Sequence, residues 1–121
     1  IIGGLECVSP DVFDERIAYT ALGHIHKAQR VSGKEHVRYA GSPLPMSFAE
    51  RNYHHGAVLV TLADGRLQSI EKLPYHPLVS LLSVPSGEAV SPGEVLELLS
   101  SLPPREEELP APYLEIKVLL A

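Results

Sequence analysis

The sequence predicts a mixed α/β (α+β) chain, and three observations carry that prediction. Short apolar, β-branched runs, such as residues 17–22 and 56–62, are bounded by glycine or proline, as buried strands are. An Asp64-Gly65 pair lies between two such runs, and that pair supplies the positive-φ positions of a tight hairpin. Only the segment that follows Ser91 repeats its apolar residues at helical spacing.

The elements follow in order. Residues 17–22 (I-A-Y-T-A-L) read as a buried strand that runs into a loop at Gly23. Residues 23–33 are polar and basic and read as loop. Residues 35–40 alternate and read as a second strand. Gly41-Ser42-Pro43-Leu44-Pro45 holds two prolines and a glycine, which excludes regular structure and predicts a rigid irregular loop. Residues 56–62 and 67–73 are the two arms of a hairpin closed by residues 63–66.

Pro74 and Pro77 bracket Tyr75-His76 and mark a boundary between residues 1–76 and 77–121. Beyond it, residues 78–84 read as a strand. Ser91-Pro92-Gly93-Glu94 has the form of a capping box with proline at the first helical position. Val95, Leu98, Leu99 and Leu102 then fall on one helix face, and Pro103-Pro104 ends the helix. Residues 113–120 alternate, with Leu114, Ile116 and Val118 on one side, as a further strand. Strand, helix and strand make one βαβ-like unit, too small for a core of its own.

Composition narrows the class. Of 121 residues, 45% are hydrophobic and 21% charged, with mean hydropathy +0.06. These values belong to a globular chain rather than a disordered one. No apolar run approaches the length of a bilayer span. No signal peptide is visible, and the single cysteine, Cys7, excludes an internal disulfide and reads as a buried or idle thiol. The expected setting is the reducing cytoplasm, with no membrane partner. The chain opens Ile1-Ile2-Gly3-Gly4, without methionine, which fits either a processed mature protein or a piece of something longer.

The net charge of −5 has the wrong sign for a nucleic-acid binder taken as a whole. Its distribution differs. Arg16, Lys27, Arg30, Lys34, Arg38 and Arg51 share one stretch with only Glu35 and Glu50, a local charge of +4. That stretch is either a solvated loop or a phosphate-facing rim.

Gly23-His24-Ile25-His26 is the chemical centre. Two histidines two apart at a strand end put both imidazoles on one side, and imidazole is a common ligand of zinc, manganese and iron. Gly23 would let the backbone turn sharply there. A bare H-x-H is also compatible with two exposed, hydrogen-bonded histidines. The cupin metal motif, which needs a glutamate shortly after the second histidine, fails at Arg30 and Val31. The other histidines read as structural or exposed: His36 on a strand, His54-His55 in a solvent-facing turn, and His76 packed in the linker.

Two strings resolve the ambiguity: Tyr19-Thr20-Ala21-Leu22-Gly23-His24-Ile25-His26-Lys27-Ala28-Gln29, and Arg38-Tyr39-Ala40-Gly41-Ser42-Pro43-Leu44-Pro45-Met46-Ser47-Phe48-Ala49-Glu50. Together they resemble the last motif of the calcineurin-like metallophosphoesterases, in the form found in SbcD-like DNA nuclease subunits. The resemblance implies the C-terminal part of an α/β/β/α sandwich, followed by the start of a small α+β capping domain. It implies two divalent metal ions, manganese first and magnesium as the alternative, with His24 and His26 each ligating one. It implies that Gly23, Gly41, Ser42 and Pro43 lie beside the site, and that Lys27, Arg30 and Arg38 meet DNA phosphates. DNA, an SbcC-like ATPase subunit and a second nuclease subunit are the implied partners.

The family's remaining ligand motifs, D-x-H, G-D-x-x-D and G-N-H-D/E, do not occur in this sequence. Most metal ligands would therefore lie outside this chain, no catalytic residue is assigned within it, and the chain alone is expected to be inactive. Two other readings stay open: another calcineurin-like phosphodiesterase, and a non-catalytic protein-docking module.

Overall fold

A computed structural model describes residues 9–120. Cys7 and the opening Ile1-Ile2-Gly3-Gly4 lie outside the described residues. Within them are seven strands and one α-helix, a mixed α+β chain. The chain divides into two units: residues 9–44 with Tyr53–Tyr75, and Pro45–Asn52 with residues 76–120.

The first unit contains a three-stranded sheet, in the order β1-β3-β2, and a separate hairpin. Strand β1 covers only Thr20–Leu22. Residues 17–19, read as strand from their apolarity, are not strand. Asp14 holds the chain in a turn there, its carboxylate accepting from the Arg16 amide at 2.8 Å and its carbonyl from the Ile17 amide at 3.0 Å. The segment read as loop after Gly23 contains strand β2, Gln29–Val31, paired antiparallel with β3, Lys34–Tyr39. The turn between them places Ser32 at φ 49° and Gly33 at φ 71°. Two successive positive φ values mark the primed hairpin turn, and its twist matches that of the flanking strands.

Strand β3 also pairs in parallel with β1, Thr20 opposite Val37 and Leu22 opposite Tyr39. As the central strand it carries Val37, the one fully buried large side chain among the described residues. The predicted hairpin is present as β4, Gly56–Ala63, and β5, Arg66–Pro74, turning at Asp64 (φ 52°) and Gly65 (φ 73°).

In the second unit, β6 (Leu81–Val84) and β7 (Tyr113–Ile116) run parallel and are joined through α1, Pro92–Ser100. Parallel neighbours need such a crossover. The Ser91 hydroxyl accepts from the Glu94 amide at 3.4 Å, the capping contact its sequence predicts. Of the predicted apolar helix face, Val95 is buried, while Leu98 and Leu102 stay exposed. Strand β7 is shorter than its alternating pattern, because residues 85–89 leave the ladder. Its continuation is picked up by Val90, whose carbonyl accepts from the Leu119 amide at 2.7 Å.

Candidate functional site

The H-x-H turn follows β1 directly. His24 has φ 85°, a left-handed conformation that non-glycine residues seldom adopt. The strain sits on the histidine and not on Gly23, where an added Cβ would meet nothing within 4 Å. A left-handed residue interrupts the alternation of a strand, so same-side placement of His24 and His26 does not follow from their spacing. Both side chains belong to exposed residues. Such outliers concentrate at functional sites, held by surrounding structure that outweighs their cost.

The surrounding structure here is the 41–43 loop. The Ser42 amide donates to the His26 carbonyl at 2.9 Å. Gly41, at φ 81°, lies so close that a Cβ would stand 2.8 Å from both the His26 carbonyl oxygen and the Ala28 nitrogen. Ser42 and His55 are both buried. The His55 Nδ1 lies 3.1 Å from the Ser42 carbonyl oxygen and 3.4 Å from its hydroxyl. A carbonyl oxygen only accepts, so Nδ1 carries the hydrogen. The loop thus connects the His24–His26 turn to a buried imidazole beyond it. The solvent-facing position expected for His55, beside another histidine before a hairpin, is therefore incorrect. Its burial depends on a contact thirteen residues away in sequence, for which the local pattern holds no signal. Pro43 is exposed.

The basic stretch is partly neutralised by its own neighbours. Arg16 pairs with Asp14 at 2.7 Å and Lys34 with Glu15 at 3.1 Å. Glu15 also lies 3.4 Å from the His36 Nε2. Arg30 and Arg38 each contact one carboxylate oxygen of Glu35. Those guanidinium groups, Arg30 first, hold the Glu35 carboxyl below its ordinary range. Arg38 is buried, and its Nε donates to the Glu35 carbonyl at 2.8 Å. Burial pushes the nearby Tyr19 hydroxyl up, partly opposed by the Arg38 charge. The Lys27 ammonium stands 5.6 Å from the centre of the Tyr53 ring, at the outer range of a cation–π contact.

Whether these residues suit a metal can be tested on their donor set. Among the described residues no group of three or more histidine, cysteine, aspartate or glutamate side chains converges on a point where an ion could sit. His24 and His26 by themselves fall short of such a set, and a two-ion site demands more ligands than the described residues bring together.

No family model matches the chain. Among curated proteins, the chain is similar to nuclease subunits. The particular protein the chain resembles is SbcD, the D component of the nuclease SbcCD. It is 38% identical to that protein from Rhodobacter capsulatus over 102 residues, 84% of this chain and 24% of the relative. It is 47% identical to the Escherichia coli protein over 73 residues, 60% of this chain and 18% of the relative. The Bacillus subtilis protein is 38% identical over 66 residues, 54% of this chain and 16% of the relative. The chain thus spans a quarter or less of the curated relatives it matches. No helix among the described residues is long and apolar enough to cross a membrane.

Proposed function

We propose that this chain is part of an SbcD-like DNA exonuclease/endonuclease, a metal-dependent phosphodiester hydrolase that serves double-strand-break and hairpin processing in replication, recombination and repair. The observation that carries the reading is the left-handed, exposed His24 on a turn held by the Gly41-Ser42 loop. A strained, preorganised histidine turn at a strand end suits a ligand position better than a surface loop. The similarity to nuclease subunits supports the same reading.

In it, residues 1–76 close the nuclease domain and residues 77–121 begin a capping domain. His24 and His26 supply imidazole nitrogens toward two divalent ions, manganese or magnesium, whose other ligands come from outside this chain. When bound, such ions supply an activated water and neutralise phosphoryl oxygens. This chain's own contribution is to hold the two imidazoles, and to offer Lys27, Arg30 and Arg38 as phosphate contacts. The partners are DNA, an SbcC-like ATPase subunit and a second copy of the nuclease subunit, in the cytoplasm.

The test uses the full-length protein with linear and hairpin DNA, in manganese and in chelator. Manganese-dependent cleavage, reduced more than about 100-fold by His24→Ala or His26→Ala, is the expected result. Hydrolysis of small phosphodiesters without cleavage of DNA would transfer the reading to another phosphodiesterase. Absence of any hydrolysis would leave a docking module. The isolated 121-residue chain is expected to cleave nothing.

A further inference from the structure

The first unit contains a cleft of about 500 Å³, lined in part by Arg30, Arg38, His54 and Lys72. Its walls come from β2 and β3 on one side and from the base of the β4–β5 hairpin on the other. Small residues, Ala28, Ala40 and Gly56 among them, leave the space open.

The charge in this cleft is unbalanced. Arg30 and Arg38 stand directly opposite each other in the β2–β3 register. Like charges in that position repel. Glu35 answers both with one carboxylate, an oxygen to each guanidinium. Two cations against one anion leave an excess positive charge. Lys72, from β5, adds another, and it has no ion pair among the described residues. The neighbouring Glu71 does not line the cleft. Arg38 is anchored through its Nε to a backbone carbonyl, so its position is set before any ligand arrives. A preset guanidinium beside a second, exposed one, with an excess of charge around a space of small-ligand size, meets the requirements of a phosphate site.

We propose that this cleft binds a phosphate group, with Arg30 and Lys72 as its principal donors, as a site separate from the His24–His26 turn. Lys72 lies outside the basic stretch of the sequence, and only the hairpin brings it to this cleft. The proposal rests on the nuclease reading only where the phosphate is taken to be that of a nucleic-acid strand.

The experiment uses the full-length protein in chelator, with no divalent metal, and two probes: a fluorescent single-stranded oligonucleotide and inorganic phosphate. Each is titrated against wild type, Lys72→Glu, the double variant Arg30→Gln/Lys72→Gln, and His24→Ala/His26→Ala. Both cleft substitutions fall on exposed residues, and circular dichroism checks the fold. The expected result is oligonucleotide binding weakened about tenfold by the double variant. The slope of log K against log salt should become shallower by about 0.7, the value for one single-strand phosphate contact. The histidine variant should bind as wild type does. Phosphate binding with the same Arg30 and Lys72 dependence, but no oligonucleotide binding, would keep the site and assign it to a free phosphate. Binding of both probes unaffected by Lys72→Glu and the double variant, or absent in wild type, overturns the proposal. Manganese-dependent cleavage is scored separately, so its loss refutes the nuclease reading without touching the cleft.

Discussion

Replacing Gly41 by alanine tests how the histidine turn is held. At φ 81° the alanine enters a left-handed conformation, which costs an L-residue about 1–2 kcal/mol. Its Cβ also arrives 2.8 Å from the His26 carbonyl oxygen and 2.8 Å from the Ala28 nitrogen. Both are backbone atoms and cannot swing aside as a side chain would. The loop must move away, and the hydrogen bond from the Ser42 amide to the His26 carbonyl weakens or breaks, at a net cost of about 0.5–1.5 kcal/mol. The sum is about 1.5–3.5 kcal/mol. Gly65→Ala is the internal control, with a similar φ of 73° but no atom within 4 Å of the added Cβ. Any gain from a stiffer unfolded chain applies to both variants and cancels. Denaturant unfolding of the full-length protein should show Gly41→Ala the more costly by about 0.5–1.5 kcal/mol, the share assigned to the lost contact. The Ser42 amide should exchange faster in that variant alone. Equal costs for the two substitutions would refute the claim that the 41–43 loop clamps the turn.

Two further predictions concern the same region. His55→Leu leaves the buried Ser42 carbonyl without its imidazole donor and should cost about 1–3 kcal/mol. His55→Asn, whose amide nitrogen can take the place of Nδ1, should recover much of that in the same unfolding measurement, and no recovery would argue that volume alone matters. Glu35 is held below its ordinary carboxylate pKa, first by Arg30. A depressed folded pKa means its contribution is present above the unfolded value and lost as pH falls through the folded one. An NMR titration of Glu35 should therefore move upward in Arg30→Gln, and an unchanged midpoint would refute the assignment of the cause.

Much of the fold is legible in the sequence because its signals are local. The Asp64-Gly65 pair specifies a hairpin by φ alone, and the Ser91 cap with Pro92 specifies a helix start without any distant partner. Strand β2 is hidden because Gln29-Arg30-Val31 has no apolar alternation. The signal available for it is Ser32-Gly33, a dipeptide suited to a tight turn. Apolar runs overstate β1 and β6, since composition marks burial and not where a ladder partner stops.

The chemical residues stand in the sequence unaided: His24 and His26 in their short motif, the Gly41-Ser42-Pro43 loop, and an uneven distribution of positive charge. Which of these meet is a property of the folded chain. Folding brings Ser42 under His26 and His55 under Ser42, places the left-handed strain on His24 rather than Gly23, and draws Lys72 to the cleft that the arginine pair lines. The reason is physical. Backbone conformation and turn type depend on neighbours within a few residues, whereas desolvation and charge balance depend on groups that only strand pairing brings within reach.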